Sequence, residues 1–325
     1  MYRIEDHMGR RFEKLRVSLL NTCNFSCTYC VSDSTTAAPQ GIALAPATHE
    51  EQLDTNEFAA LIAAVHELCN LKSIRLTGGE PLLYMNLMPL IEKIKLIGID
   101  DIRLTTNGYY LKQTARQLKE SGLQSINISL DAIDTVLMKT IARHANPQKV
   151  FEGIETALQE GLHVKLNAVI MRGQNESQII PLLEYAAKLG IKVRYLELMK
   201  MGHLHNGQNE LFFSEQEILE TISRKYPIRR LDRTASETAR YWSAGDDRVF
   251  GIIANESTPF CHDCNRLRMD SRGYFFGCLS NANGEKLAPY IHDQESLTKK
   301  LRQLLLLKQP VKFHGSSLSM RNIGG

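Results

Sequence analysis

Six cysteines of this chain fall into two groups of three, and each group has the residue type and spacing to hold a metal centre through thiolates. The first is Cys23, Cys27 and Cys30, with three and then two residues between them. The second is Cys261, Cys264 and Cys278, with two and then thirteen between. A structural zinc ion takes four closed ligands. Three thiolates on one short loop leave one position open. An iron–sulfur cluster with one iron free of cysteine fits that deficit, because thiolates on neighbouring loop turns hold several irons at once. For the first triplet this reading stands above zinc, since the aromatic Tyr29 precedes the last cysteine and the loop follows a strand. For the second triplet zinc stays open. Two cysteines two residues apart form a common zinc half-site, and His262 offers a fourth ligand. His262 lies between two of the ligands in sequence, which makes simultaneous coordination awkward. The seventh cysteine, Cys69, sits on the apolar face of a helical pattern and reads as core packing.

These loops need a scaffold, and the hydrophobic periodicity supplies one. Six β-rich runs alternate with helical patterns up to about residue 200: LRVSLL (15–20), SIRLT (73–77), DIRLTT (101–106), QSINISL (124–130), HVKLNAVI (163–170) and KVRYLEL (192–198). One helical segment places Phe58, Leu61, Ile62, Val65, Leu68 and Cys69 on one face, with Asp54 and Glu57 spaced as a capping box. Others cover about 85–97, 111–121, 147–160 and 176–189. Strands alternating with helices give a parallel sheet with right-handed crossovers, either open or partly closed into a barrel.

Polarity chooses between them. Parallel strands covered on both faces are apolar throughout. These carry Arg16, Ser18, Ser73, Arg75, Thr77, Arg103, Thr105, Asn127, Ser129, Asp131, Lys165, Asn167 and Arg194 at alternate positions, so each strand turns one polar, largely cationic face. A curved sheet around a polar cavity explains that pattern. The fold class is therefore α/β, a partial six-stranded (β/α)6 parallel barrel, followed by a smaller α+β module. The division falls at 1–205 and 206–325. The second part holds a helix from the capping box at Ser214 and Glu217 to about 224, the strand-like runs RVFGIIA and GYFFGC, and a helix near 295–307. The least structured stretch is Ser32–Gln52.

Composition bounds what this architecture does. With 325 residues and 43% apolar content there is material for one large and one smaller domain, each with its own core. Charges of both signs mix to a net +3, which is not the profile of a nucleic-acid-binding tail or a disordered chain. No apolar run is long enough to cross a bilayer, and the start MYRIEDHMGRRFEK lacks the apolar segment of a signal peptide. The expectation is a cytoplasmic protein without nucleic-acid or membrane partners. In that compartment seven cysteines read as metal ligands or reactive thiols rather than disulfides.

CNFSCTYC (23–30) together with TGGEP (77–81) resembles the radical S-adenosylmethionine (SAM) superfamily. IRLTGGEPLL, LTTNGY, INISLDAID, VRYLELMKMGH, FCHDCNRLR and a Gly-Gly terminus narrow the resemblance to the GTP 3′,8-cyclase family over nearly the whole chain. The resemblance implies that Cys23, Cys27 and Cys30 hold a 4Fe–4S cluster whose fourth iron binds SAM. It implies SAM contacts from Tyr29, Gly79, Ser129 and Met199. It implies GTP contacts from Arg16, Arg75, Thr105, Lys165, Arg266 and Arg268, with Arg194 a further basic residue facing the pocket. Arg266, Arg268 and Arg16 are the candidate catalytic residues. Cys261, Cys264 and Cys278 become ligands of a second 4Fe–4S cluster facing the guanine. The tail, Met320 to Gly325, is expected to reach the active site. The resemblance further implies a reductive electron donor, a homodimer, and product passed to cyclic pyranopterin monophosphate synthase. Two competing readings stand beside it: a radical SAM enzyme acting on a peptide, and a non-enzymatic zinc scaffold. Only three cysteines in the C-terminal module, followed by Arg266 and Arg268, favour the nucleotide. Ser73 stands where some members carry a basic residue.

Overall fold

In the computed structural model, residues 4–31, 52–207, 209–233 and 237–323 are described. Expectations for residues 32–51 and for Gly324-Gly325 lie outside them. Six strand–helix units come first: β1 (Lys14–Ser18), α1 (Thr55–Cys69), β2 (Ser73–Thr77), α2 (Leu87–Leu96), β3 (Asp101–Thr106), α3 (Leu111–Glu120), β4 (Ser125–Ser129), α4 (Thr135–Ala142), α5 (Pro147–Gln159), β5 (His163–Ile170), α6 (Ile179–Lys188) and β6 (Lys192–Glu197). The C-terminal part adds α7 (Glu215–Ser223), β7 (Ile228–Arg230), β8 (Arg240–Ala244), β9 (Arg248–Ile253), β10 (Arg266–Met269), β11 (Tyr274–Phe276), β12 (Glu285–Lys286), α8 (Gln294–Leu306) and α9 (Met320–Ile323).

Local sequence explains the helix starts. Asp54 accepts hydrogen bonds from the Asn56 and Glu57 amides while the Glu57 side chain caps Asp54, and Ser214 with Glu217 repeats the arrangement at α7. Such caps are each worth about 1 kcal/mol. α1 buries Phe58, Leu61, Ile62, Val65, Leu68 and Cys69 as its periodicity requires. α4 is a helix that the sequence patterns above do not include. It is eight residues long, with Thr135, Val136, Thr140 and Ile141 β-branched, so its helical period is short and its propensity mixed. Asp134 caps it through the Leu137 amide.

The strands form one twelve-stranded sheet in the order β12-β11-β10-β1-β2-β3-β4-β5-β6-β9-β8-β7. β1 to β6 are parallel neighbours in sequence order. Register places Arg16 beside Arg75 and Arg75 beside Arg103, Thr105 beside Asn127, and Asn167 beside Arg194. Arg16, Arg75, Thr105, Asn127, Asn167 and Arg194, one from each of the six strands, line a single cavity. Side chains from six successive strands meet this way only if the sheet curves, so the partial (β/α)6 barrel holds. Leu15, Val17, Ile74, Leu76, Ile126, Ile128 and Leu166 point the other way and are buried.

The expectation of a separate core for each part does not hold. β10 joins β1 in parallel and β9 joins β6 in parallel, so the C-terminal strands extend both edges of the barrel sheet. One apolar cluster draws on both parts, from Leu15 and Phe58 to Phe250, Leu267 and Leu301. The short C-terminal strands, two to six residues each, gain their apolar cover from the barrel. No described helix is long and apolar enough to cross a membrane.

Candidate active site

The loop after β1 carries the first triplet, and its backbone is tied down on several sides. The Ser26 and Thr28 amides donate to the carbonyls of Ala142 and Ile141 at the end of α4, where a helix leaves carbonyls without intrahelical partners. The Cys30 and Val31 amides fold back onto the Cys27 carbonyl. Gly78 and Gly79 close the other side. A Cβ on Gly78 would come to 2.7 Å of the Leu20 carbonyl oxygen, and one on Gly79 to 2.1 Å of the Thr22 oxygen. These glycines also line the cavity, but what makes a side chain impossible is the close approach of the β2 end to the cysteine loop. Glu80 then accepts from the Leu82 and Asn107 amides and the Thr106 hydroxyl, which ties the ends of β2 and β3 together.

The three cysteines share a cavity with Tyr29, Gly79, Ser129 and Met199, so all the SAM-site candidates come together. The Tyr29 hydroxyl donates to Asp131, which also accepts the Val169 amide. Burial raises the Cys23 thiol to about 11, with Glu80 adding to the effect, and pushes Cys27 and Cys30 up as well. Burial likewise raises Glu80 to about 7 and Asp131 to about 6. With no metal the thiols here hold their protons, and metal binding has to displace them.

The second triplet sits across a shared wall. Its cavity is lined by Cys261, Cys264 and Cys278 and by Arg16, Arg75, Arg194, Arg266, Arg268 and Lys308, and none of its described lining residues is a carboxylate. Thr105, Asn167, Leu196, Met199 and Met320 line both cavities. Arg266 and Arg268 enter because β10 pairs with β1, which sets Arg268 beside Arg16. Lys165 is set apart from this cavity. It lines a smaller basic chamber that shares Arg16, Arg75, Arg194 and Arg266 with it and adds Lys14 and Arg103, against Glu237.

This crowding of like charge marks what the cavity lacks. Burial, then Arg194, pulls Arg75 down to about 9; burial, then Arg266, pulls Arg268 to about 10. Burial and Arg194 bring Lys165 to about 8, and Arg16 is driven well down by burial and by Arg268. The guanidinium groups stay protonated; burial is the largest cause of the depression, and the neighbouring cations add to it. Several cations held together without carboxylates form a polyanion site, and arginine forks match phosphate oxygens.

Among the described residues, no group of three His, Cys, Asp or Glu side chains converges on one point as the ligands of a single metal ion would. Each triplet lines part of a cavity. In the second triplet, burial pushes Cys264 up, but Arg266, Lys308 and the Arg266 backbone together bring it down to about 5. These cations favour the thiolate of Cys264, the form that binds iron.

Sequence patterns missed several residues here. Lys308, at the end of α8, donates to the Cys264 sulfur at 3.4 Å and to the carbonyls of Arg266 and Gly277. Arg10 donates to the Cys261 carbonyl at 2.6 Å and pairs with Asp6. Asn107 reaches Asn24 in the first loop. In the sequence each is an ordinary polar residue, and the only signal was Asn107 within LTTNGY.

Comparison with known proteins bears on the same surfaces. Residues 17–186 match the family model of the radical SAM superfamily, and residues 191–313 match that of Molybdenum Cofactor Synthesis C. A GTP 3′,8-cyclase of Staphylococcus epidermidis is 37% identical over 285 residues, which is 85% of this chain and 81% of that protein. One from Staphylococcus aureus is 38% identical over 293 residues, 89% and 85% of the two chains. Among solved structures, Streptococcus suis SuiB bound to precursor peptide SuiA superposes with a TM-score of 0.60 at 15% identity, covering 90% of this chain and 67% of that one. At that identity the likeness is one of fold.

Proposed function

Because the chain belongs to the GTP 3′,8-cyclase family of radical SAM enzymes, we propose that GTP is cyclised in the cavity between its two cysteine triplets. The protein is a lyase-type enzyme that converts GTP to (8S)-3′,8-cyclo-7,8-dihydroguanosine 5′-triphosphate in molybdenum cofactor biosynthesis. The observation that carries the assignment of the cavity is its lining. Six cations with no carboxylate among its described residues stand beside three thiols, and a shared wall leads to the other three. A nucleoside triphosphate has the charge for the first feature and the length to span it.

Cys23, Cys27 and Cys30 are the residues that would hold a 4Fe–4S cluster, with SAM bound beside Tyr29, Gly79, Ser129 and Met199. Cys261, Cys264 and Cys278 would hold the second cluster. Bound there, the first cluster and SAM would supply the radical chemistry for hydrogen abstraction from the ribose 3′ carbon. The chain's own residues do the positioning. Arg16, Arg75 and Arg194 hold phosphate oxygens on the strand face, Lys165 meets them from the smaller chamber that these three also line, and Arg266 and Arg268 close the site from β10. Thr105 and Met199 line both cavities, which supports reading them as the residues between ribose and SAM. Joining the 3′ carbon to guanine C8 needs both held in one geometry, and such fixing supplies much of the catalysis. A cytoplasmic homodimer, a reductive electron donor, and hand-off of the product to cyclic pyranopterin monophosphate synthase complete this reading.

Two measurements test it. Anaerobic reconstitution should give iron and sulfide for two clusters, and incubation with SAM, dithionite and GTP should give the cyclised nucleotide. Zinc in the second triplet, or turnover of a peptide with none of GTP, would overturn it. Separately, Arg16→Ala or Arg75→Ala should weaken GTP binding far more than guanosine binding. Each lost charge-assisted contact is worth about 1.5–3 kcal/mol, or roughly 10- to 150-fold in affinity. Equal losses for nucleotide and nucleoside would show that these arginines serve the fold.

A further inference from the structure

SAM brings two cations, its sulfonium and its ammonium, and a single carboxylate. Glu80, Asp131 and Glu197 line the cavity of the first triplet, and each already accepts hydrogen bonds from the chain at both oxygens. For the carboxylate, besides the cluster iron, its lining offers one charged side chain. Among its described lining residues, Arg321 is the only cationic side chain. Arg321 does not belong to the barrel. It comes from α9, at the far end of the sequence, close to the last described residue.

The placement of Arg321 is built from several contacts. The Ser18 hydroxyl, at the end of β1, donates to the Arg321 carbonyl at 3.2 Å. The Arg321 amide donates to the Ser319 hydroxyl, and that hydroxyl reaches the Cys30 carbonyl. One guanidinium nitrogen, Nη2, donates to the Phe25 carbonyl at 2.7 Å, inside the first cysteine loop. A guanidinium carries five N–H donors in a planar fork, and the Phe25 bond takes one of them. Two further contacts seat the same short helix. Ile323 is buried, and its carbonyl accepts from Arg268 in the neighbouring cavity. Met320 lines both cavities.

We propose that Arg321 binds the carboxylate of SAM, so that the SAM site is completed by the C-terminal segment and is whole only when α9 is docked. A carboxylate held by a guanidinium fork is a directional, charge-assisted contact. The arrangement makes the substrate cavity and the SAM cavity share one short helix, because Arg268 holds its end. This rests on the reading that the first triplet is the SAM-cluster site.

The test compares two ligands on anaerobically reconstituted protein: SAM, and decarboxylated SAM, which lacks only the carboxylate. Binding is read by equilibrium dialysis, with iron and sulfide measured on the same samples. Arg321→Gln is expected to weaken SAM about tenfold or more, with decarboxylated SAM unchanged and iron content at the wild-type level. Arg321→Lys should recover part of the loss, since a single ammonium keeps the charge but not the fork. Equal weakening of both ligands, or iron lost from the variant, would overturn the proposal and leave Arg321 as a pin on the Phe25 carbonyl. Unchanged SAM binding in Arg321→Gln would overturn it outright. If the wild-type protein itself bound no SAM with its clusters in place, the SAM-site reading would fail, and this proposal with it.

Discussion

Cys27→Ala is expected to form no 5′-deoxyadenosine from SAM under dithionite, while the protein still folds. The backbone of the loop does not depend on this side chain. It is held by the Ile141 and Ala142 carbonyls, by the turn onto the Cys27 carbonyl, and by Arg321 on Phe25. Alanine leaves each of these bonds in place. The sulfur, by contrast, has no substitute: Cys23 and Cys30 alone leave two irons without protein ligands, and such a cluster is not retained. Iron content should fall toward that of a single cluster, with the second triplet still loaded. Circular dichroism and thermal melting check the fold. 5′-Deoxyadenosine at the wild-type level would remove the first triplet from the SAM reaction.

Removing Gly324 and Gly325 is expected to leave both clusters and SAM cleavage intact and to cut cyclised product by about 10²-fold, the scale of loss when reacting groups are held out of position. Ile323 is the last described residue, is buried, and has its carbonyl on Arg268. In the truncated chain the terminal carboxylate belongs to Ile323 itself. A new negative charge then stands next to Arg268, where the substrate needs cations. Two residues without side chains are also those best able to follow a narrow cavity. Arg321 is retained, so SAM binding should hold and SAM cleavage should run uncoupled from GTP. A dipeptide of two glycines should restore part of the turnover. Cyclisation at the full-length rate by the truncated enzyme would show that these two residues take no part.

Much of this site was legible because the relevant signals are local. Alternation along a strand depends only on the geometry of an extended backbone, so Arg16, Arg75, Thr105, Lys165 and Arg194 could be put on one face from their spacing. The capping boxes at Asp54 and Ser214 depend on four consecutive residues, and both form. Cysteines two or three residues apart must be neighbours in any fold, so each short spacing already puts its thiols within reach of one site. Curvature of the sheet also followed from sequence, because a cationic face cannot be buried under helices.

What only the tertiary structure decided are the pairings across long stretches of chain. β10 joins β1 some 250 residues away, and this alone brings Arg266 and Arg268 over the strand face. The same pairing merges the expected second core into the first. Lys308 on Cys264, Arg10 on Cys261 and Arg321 on Phe25 are side chains of ordinary type whose partners lie 44, 251 and 296 residues off. No periodicity marks them, since a local pattern records which face a residue turns and not what meets that face. Gly78 and Gly79 show the same limit. Their lack of side chains was visible, but the backbone that demands it, Leu20 to Thr22, belongs to another strand end and met them only when the sheet closed up.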